Sequence, residues 1–276
     1  MVDRYCLIGE DVSGSPSPAV MNAAFRATGI DASYEAISVG RGDFARRFLE
    51  LKETMAGFNL TIPYKSDVIG HLDWLDPVAS RIQAVNVVKK AGSRHLGYNS
   101  DVDGITGPLR ERGLERVGRA LLLGAGGAAR AFCDAMNQLA CTEVTVAVRD
   151  VTRGKAFAKE MAAAFPRMTL ATAELGKLAN VEADVVFNAT PMGSPGAPLV
   201  ETLKRVIYGH AVVFDAVYRP TKTELLKAAE KGGSRIIYGY EMLLGQGARG
   251  FEIWTGRRAP VESMRGALLE SLERGQ

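Results

Sequence analysis

The run Leu121-Leu122-Leu123-Gly124-Ala125-Gly126-Gly127-Ala128-Ala129 constrains this chain more than any other stretch. Three apolar residues lead into Gly124-x-Gly126-x-x-Ala129, and apolar spacing of helical type runs from Ala128 to Leu139. That reads as a buried strand, a tight glycine turn and a helix. The first glycine makes the turn, the second lets backbone approach a phosphate, and the small third residue lets helix pack on strand. The helix N-terminus then faces the anion, as a dinucleotide's pyrophosphate requires. A glycine-rich turn with no ligand has the same pattern. A second strand, Val144 to Val148, ends in Arg149-Asp150 about where a ribose would lie, and weighs toward the nucleotide.

Around this motif the second half alternates strand and helix patterns. Strands are expected at Ala120–Leu123, Val144–Val148, Met168–Ala171, Asp184–Asn188, Val212–Asp215 and Arg235–Tyr238, with helices such as Thr152–Ala164 and Thr223–Lys231 between them. Six strands with crossovers match the doubly wound parallel sheet. The first half reads as a separate mixed α/β unit. Tyr5–Gly9 is a buried strand, and the prolines of Ser15-Pro16-Ser17-Pro18 end it in a loop where Ser17 suits a helix cap. Ser33–Val39 is strand-like, and Phe44, Phe48, Leu51 and Met55 fall at helical spacing after a cap at Asp43. Gly57–Ile62 alternates as a strand, Ala84–Lys89 and His95–Asn99 suggest a hairpin, and Ile105–Arg112 looks helical. The expected division is an α/β domain over 1–103 and a doubly wound nucleotide domain over 104–241, with helices over 242–276 free to pack back on the first.

The 34 basic and 31 acidic residues nearly balance, and no basic stripe with interleaved aromatics points to nucleic acid. No apolar run approaches the roughly 20 residues of a membrane span. Charges at Asp3 and Arg4 sit where a signal peptide would be apolar. Cys6, Cys133 and Cys141 form no Cys-x-x-Cys pair and read as reduced thiols of a cytoplasmic protein. His71, His95 and His210 are scattered without metal-ligand spacing, so no metal is expected.

Four polar clusters stand out in the first half: Ser15-x-Ser17, Asn59-x-Thr61-x-Pro63-x-Lys65, Asn86, and Asn99-Ser100-Asp101. Asn59 and Thr61, two apart on a strand, share a face. If the clusters meet, hydroxyls and amides surround one lysine and one aspartate, a pocket suited to a small polyhydroxylated carboxylic acid. Taken singly the residues are ordinary: Lys65 an exposed helix-start lysine, Asp101 a turn residue, Ser15 and Ser17 caps, Tyr218 a strand-end tyrosine, Gln246 a solvated glutamine.

As an ordered set these motifs resemble the shikimate dehydrogenase family over nearly the whole chain. Ser15-Pro16-Ser17-Pro18 is similar to its Ser-x-Ser-Pro loop, and Asn59-Leu60-Thr61-Ile62-Pro63-Tyr64-Lys65 to its Asn-Val-Thr-x-Pro-[Phe/Tyr]-Lys signature. Ala84-Val85-Asn86, Asn99-Ser100-Asp101, Asn188-Ala189-Thr190, Asp215 to Tyr218, and Gly239 with Met242 and Gln246 follow in family order. The resemblance implies reversible reduction of 3-dehydroshikimate to shikimate with NADP(H), in chorismate and aromatic amino acid biosynthesis. It implies Lys65 and Asp101 as the catalytic pair, and Ser15, Ser17, Asn59, Thr61, Asn86, Tyr218 and Gln246 at the substrate. Gly124, Ala125, Gly126, Gly127, Ala128, Arg149, Arg153, Thr190, Met192, Ala216, Gly239 and Met242 would hold the cofactor. A monomer or homodimer with small-molecule partners and no nucleic acid or membrane is expected.

Departures from the family pattern are Val87 and Val102, where threonine and glycine are common, and Asp150, where a threonine usually stands between the arginines. Arg149 and Arg153 suit a 2′-phosphate, whereas Asp150 would repel it and could accept from a free ribose hydroxyl. Strand alternation, if it continues past Val148, turns Asp150 away from Arg149 and favours NADP over NAD. A quinate-type relative using NAD and a non-catalytic ligand-binding relative are the rival readings.

Overall fold

Buried strands alternating with amphipathic helices build two six-stranded sheets, one mixed and one parallel. The structure is a computed structural model that describes residues 2–178, 181–206, 209 and 212–274; His210 and the last two residues of the expected C-terminal helical stretch lie outside them. The chain divides into two units, Met1–Gly104 with Leu244–Gln276, and Ile105–Leu243.

The first unit contains β1 (Asp3–Gly9), α1 (Ser17–Thr28), β2 (Ala32–Ser38), α2 (Phe44–Thr54), β3 (Gly57–Leu60), β4 (Trp74–Leu75), α3 (Pro77–Ile82), β5 (Val87–Ala91) and β6 (Arg94–Tyr98). It also takes the start of α4 (Asp101–Glu111), most of α9 (Gly239–Thr255) and α10 (Val261–Arg274). Its strand order is β2-β1-β3-β5-β6-β4. β1 runs parallel to β2 and β3, and the β5–β6 hairpin adds antiparallel to β3. Phe44, Phe48 and Leu51 form the buried face of α2 and meet Phe58 of β3 in one core. Lys90 of β5 donates to the carbonyls of Lys52 and Glu53, which close α2 and lack intrahelical donors. α9 lies close on the sheet: a Cβ on Gly57 would stand 2.6 Å from Trp254 Nε1, which donates to the Val88 carbonyl at 2.9 Å.

The second unit holds β7 (Arg119–Leu123), α5 (Gly127–Gln138), β8 (Glu143–Val148), α6 (Val151–Ala164), β9 (Thr169–Glu174), β10 (Val185–Asn188), α7 (Glu201–Val206), β11 (Val212–Asp215), α8 (Glu224–Lys231) and β12 (Arg235–Ile237). The order β12-β11-β10-β7-β8-β9 is parallel throughout, the doubly wound arrangement. Leu121, Leu122 and Leu123 are fully buried because helices cover both faces of such a sheet. Phe132 of α5 stacks on Phe187 at 4.7 Å, and Phe187 meets Phe214 edge-on at 5.1 Å. Among the described residues no helix is long and apolar enough to cross a membrane.

Several local expectations are corrected. Pro16, not Ser17, occupies the N-cap of α1, and no side chain caps it. Asp43 flanks α2 without capping it, since its carboxylate pairs with Arg46 at 2.9 Å. β3 stops at Leu60, so Thr61 lies past the strand and the same-face argument for Asn59 and Thr61 does not apply. α4 begins at Asp101 rather than Ile105. β4 and α3 carry no hydrophobic period long enough to read. Asp76-Pro77 is their one signal, Asp76 capping α3 by accepting from Ala79 N at 2.8 Å.

Candidate active site

Lys65 is held by its neighbours before its own side chain is considered. Tyr64, 1 % exposed, stacks on Phe44 at 4.1 Å and donates from its hydroxyl to the Val39 carbonyl. On the other side the Lys65 carbonyl accepts from Val85 N at 2.7 Å. The turn after β3 is therefore pinned by an aromatic anchor and by the segment leading into β5, and its lysine is left to project. Lys65 Nζ donates to Asp101 Oδ2 at 2.5 Å, with the two side chains 13 % and 5 % exposed.

Asp101 is the first residue of α4, where the helix dipole favours a negative charge. Its second oxygen accepts from Asn86 Nδ2 at 2.8 Å, and its amide donates to Asn99 Oδ1 at 3.0 Å. Asn86, almost fully buried, accepts from Ser100 N at 2.7 Å and reaches toward Gln246 Oε1 of α9 at 3.4 Å. Lys65, Asn86, Asp101 and Gln246 therefore converge. Asn59 stands behind them. Its amide accepts from the Tyr34 hydroxyl at 2.7 Å and donates to the Asn86 carbonyl at 3.0 Å. Burial pushes the Tyr34 phenol well above its usual pKa, so it stays a donor.

Ser15 and Ser17 sit half-buried at the N-terminus of α1. Ser15 Oγ accepts from Ser17 N at 3.2 Å and lies 3.1 Å from Ser17 Oγ. Ser17 N is taken up by Ser15 and Pro18 has no N–H, so the Ala19 amide and the serine hydroxyls are the donors this helix end presents to an anion.

In the second unit Gly124 adopts φ +102°, where a Cβ would stand 2.8 Å from Thr190 Cγ2. Gly126 caps α5 without any side-chain bond, and a Cβ there would meet no protein atom within 4 Å. The protein's own packing thus leaves room for a pyrophosphate at Gly126, on the amides of Gly127 and Ala128. Arg149 and Arg153 are exposed and form no ion pair among the described residues. β8 ends at Val148, so alternation does not set Asp150's direction. Asp150 is instead the N-cap of α6, accepting from Arg153 N at 3.1 Å. These features fit an NADP-type dinucleotide.

At the same carboxyl end of the sheet, beside the glycine turn, Asn188 binds Thr190 through its oxygen, and Met192 O and Asp215 through its nitrogen. Gly239 is required by packing, since a Cβ would lie 2.4 Å from the Val217 carbonyl oxygen. Ala216 N donates to the Asn188 carbonyl at 3.0 Å, and Met242 is buried. Tyr218 is half-buried, and its phenol pKa is raised by burial against the lowering effect of Arg219. Sequence reasoning left Asn99, Ser100 and Asn188 without roles; their signal is a buried amide or hydroxyl, which only tertiary contacts reveal.

Residues 7–88 match the model of the shikimate dehydrogenase substrate binding domain, 111–207 that of shikimate / quinate 5-dehydrogenase, and 239–269 that of the shikimate 5'-dehydrogenase C-terminal domain. A shikimate dehydrogenase (NADP(+)) of Symbiobacterium thermophilum is 37 % identical, covering 97 % of this chain and 94 % of its own. The crystal structure of shikimate 5-dehydrogenase from Thermus thermophilus in complex with NADP(H) and shikimate superposes with a TM-score of 0.86 at 33 % identity, over 98 % of this chain and 100 % of that one. Quinate dehydrogenase from Corynebacterium glutamicum in complex with NAD also gives 0.86, at 29 % identity over 97 % and 99 %.

Proposed function

The chain belongs to the shikimate dehydrogenase family, and from that premise we propose that Lys65 and Asp101 are its catalytic pair. The enzyme is an NADP-dependent oxidoreductase that reversibly reduces 3-dehydroshikimate to shikimate. The observation that carries the assignment is the buried Lys65–Asp101 contact at 2.5 Å inside a cluster of amides.

NADPH, when bound, supplies the hydride that reaches the ketone carbon. The ketone oxygen gains charge as that happens and needs a proton delivered to it. Lys65 has three N–H donors. One is directed at Asp101, which leaves others for the ketone oxygen and makes Lys65 the proton donor in reduction and the acceptor in oxidation. Asp101 is fixed in turn by Asn86, so the lysine cannot swing away from the reacting oxygen. Ser15, Ser17 and the open N-terminus of α1 hold the substrate carboxylate, while Thr61, Asn86 and Gln246 serve its hydroxyls. Asn59 braces Asn86 by donating to its carbonyl at 3.0 Å and keeps a second N–H for the substrate.

On the cofactor, Arg149 and Arg153 receive the 2′-phosphate. One oxygen of the Asp150 carboxylate is engaged in capping α6, and two arginines against one aspartate favour NADP over NAD. The three free cysteines are all buried, in keeping with a reduced, cytoplasmic setting.

Lys65→Ala tests the assignment. General acid–base groups contribute about 10²–10⁴-fold, so kcat for shikimate oxidation should fall within that range while KM for shikimate changes little. Near-normal kcat would remove Lys65 from the proton-transfer role.

A further inference from the structure

Asp215 closes β11 with no exposed surface, and among the described residues no cation pairs with it. Three donors converge on its carboxylate: Asn188 Nδ2 at 2.8 Å and Val217 N at 3.0 Å on one oxygen, and Thr223 Oγ1 at 2.5 Å on the other. A buried charge without a counter-charge is unfavourable, and burial pushes this carboxyl up to about 6 against the lowering effect of its hydrogen bonds. An amide in its place would offer one acceptor oxygen, and its NH2 would force the Thr223 hydroxyl to turn its proton away.

The donors come from separate segments. Asn188 ends β10 and, through Thr190 and Met192, shapes the turn that follows that strand. Val217 opens the loop after β11, and Thr223 caps α8 by accepting from Leu226 N at 3.3 Å. In a doubly wound sheet the glycine loop and the strand beyond it serve one nucleotide, and the strands on the other side of the switch point serve the second. Here β7 and β8 take the adenosine half, which leaves the ends of β10 and β11 to the nicotinamide half.

We infer that Asp215 is a positioning residue for that half: it ties the turn at 189–193 to the loop at 216–218, so both stand ready before the nicotinamide arrives. This rests on the dinucleotide reading of the second unit given above.

Isothermal titration of NADP+ and of adenosine 2′,5′-bisphosphate separates the two halves without turnover. With Asp215→Asn the dissociation constant for NADP+ should rise about tenfold, the order expected for one or two lost hydrogen bonds. The bisphosphate should bind as it does to the wild type, and the melting temperature should not fall. Thr223→Ser should keep the wild-type affinity for NADP+ and Thr223→Val should lose it, a comparison that stands even if Asp215→Asn does not fold. Unchanged NADP+ binding in Asp215→Asn, or equal loss of both ligands, overturns the inference while leaving the function intact. A wild-type protein that binds no NADP+ overturns the function reading as well.

Discussion

At the scale of single residues, the Asp215 carboxylate makes the second unit's stability depend on pH in an unusual direction. Its ordinary value is 3.8 and its folded value about 6. Between those values the native state holds a proton that the unfolded chain has lost, so stability falls as pH rises through this window and stays low above it. Asp215→Asn removes the effect. Its stability should gain on the wild type by about 2 kcal/mol between pH 4.5 and pH 8. Urea denaturation of both proteins at the two pH values measures this, and a gap that does not change with pH would contradict it. The proposed role of Ser15 and Ser17 at the substrate carboxylate gives a second residue-scale prediction. On that proposal, Ser15→Ala with Ser17→Ala removes two hydrogen bonds to a carboxylate, each worth about 1.5–3 kcal/mol. KM for shikimate should therefore rise far more than KM for NADP+, and equal losses would move the serines out of the acid's pocket.

At the scale of elements, helix ends do much of the positioning. The N-terminus of α1 carries the serines, that of α4 carries Asp101, and that of α5 faces the phosphate position. Asp150 caps α6 from the position before it, and that cap predicts a separation of effects. Asp150→Ala should destabilise the second unit by about 1 kcal/mol without reversing cofactor preference, whereas Arg149→Ala should raise KM for NADP+ much more than KM for NAD+. Loss of NADP preference in Asp150→Ala would show that the carboxylate acts on the ribose after all. The long elements were legible because their signals are local: three buried leucines before a glycine turn, or phenylalanines at helical spacing in α2. What was not legible is tertiary. Asp43 and Asp150 precede helices in the same way, yet one pairs with Arg46 and the other caps, and only the surroundings decide. The two-residue β4 and one-turn α3 are too short for periodicity. The hydrogen bonds of Asn59 to Tyr34 and Asn86, 25 and 27 positions away, leave no local signal.

At the scale of the whole molecule, the chain builds a mixed sheet, then a parallel one, and returns to the first unit with α9 and α10. The return supplies Gln246 to Asn86, and Trp254 and Ile253 to β5, so the C-terminal helices are part of the acid-binding unit. The family contains both shikimate and quinate enzymes, and the central claim is that this chain is an NADP-dependent shikimate dehydrogenase with Lys65 and Asp101 at its centre. The most direct test is kcat/KM for shikimate and for quinate, each with NADP+ and with NAD+. The account predicts the highest value for shikimate with NADP+. A higher value for quinate, or for shikimate with NAD+, would contradict it.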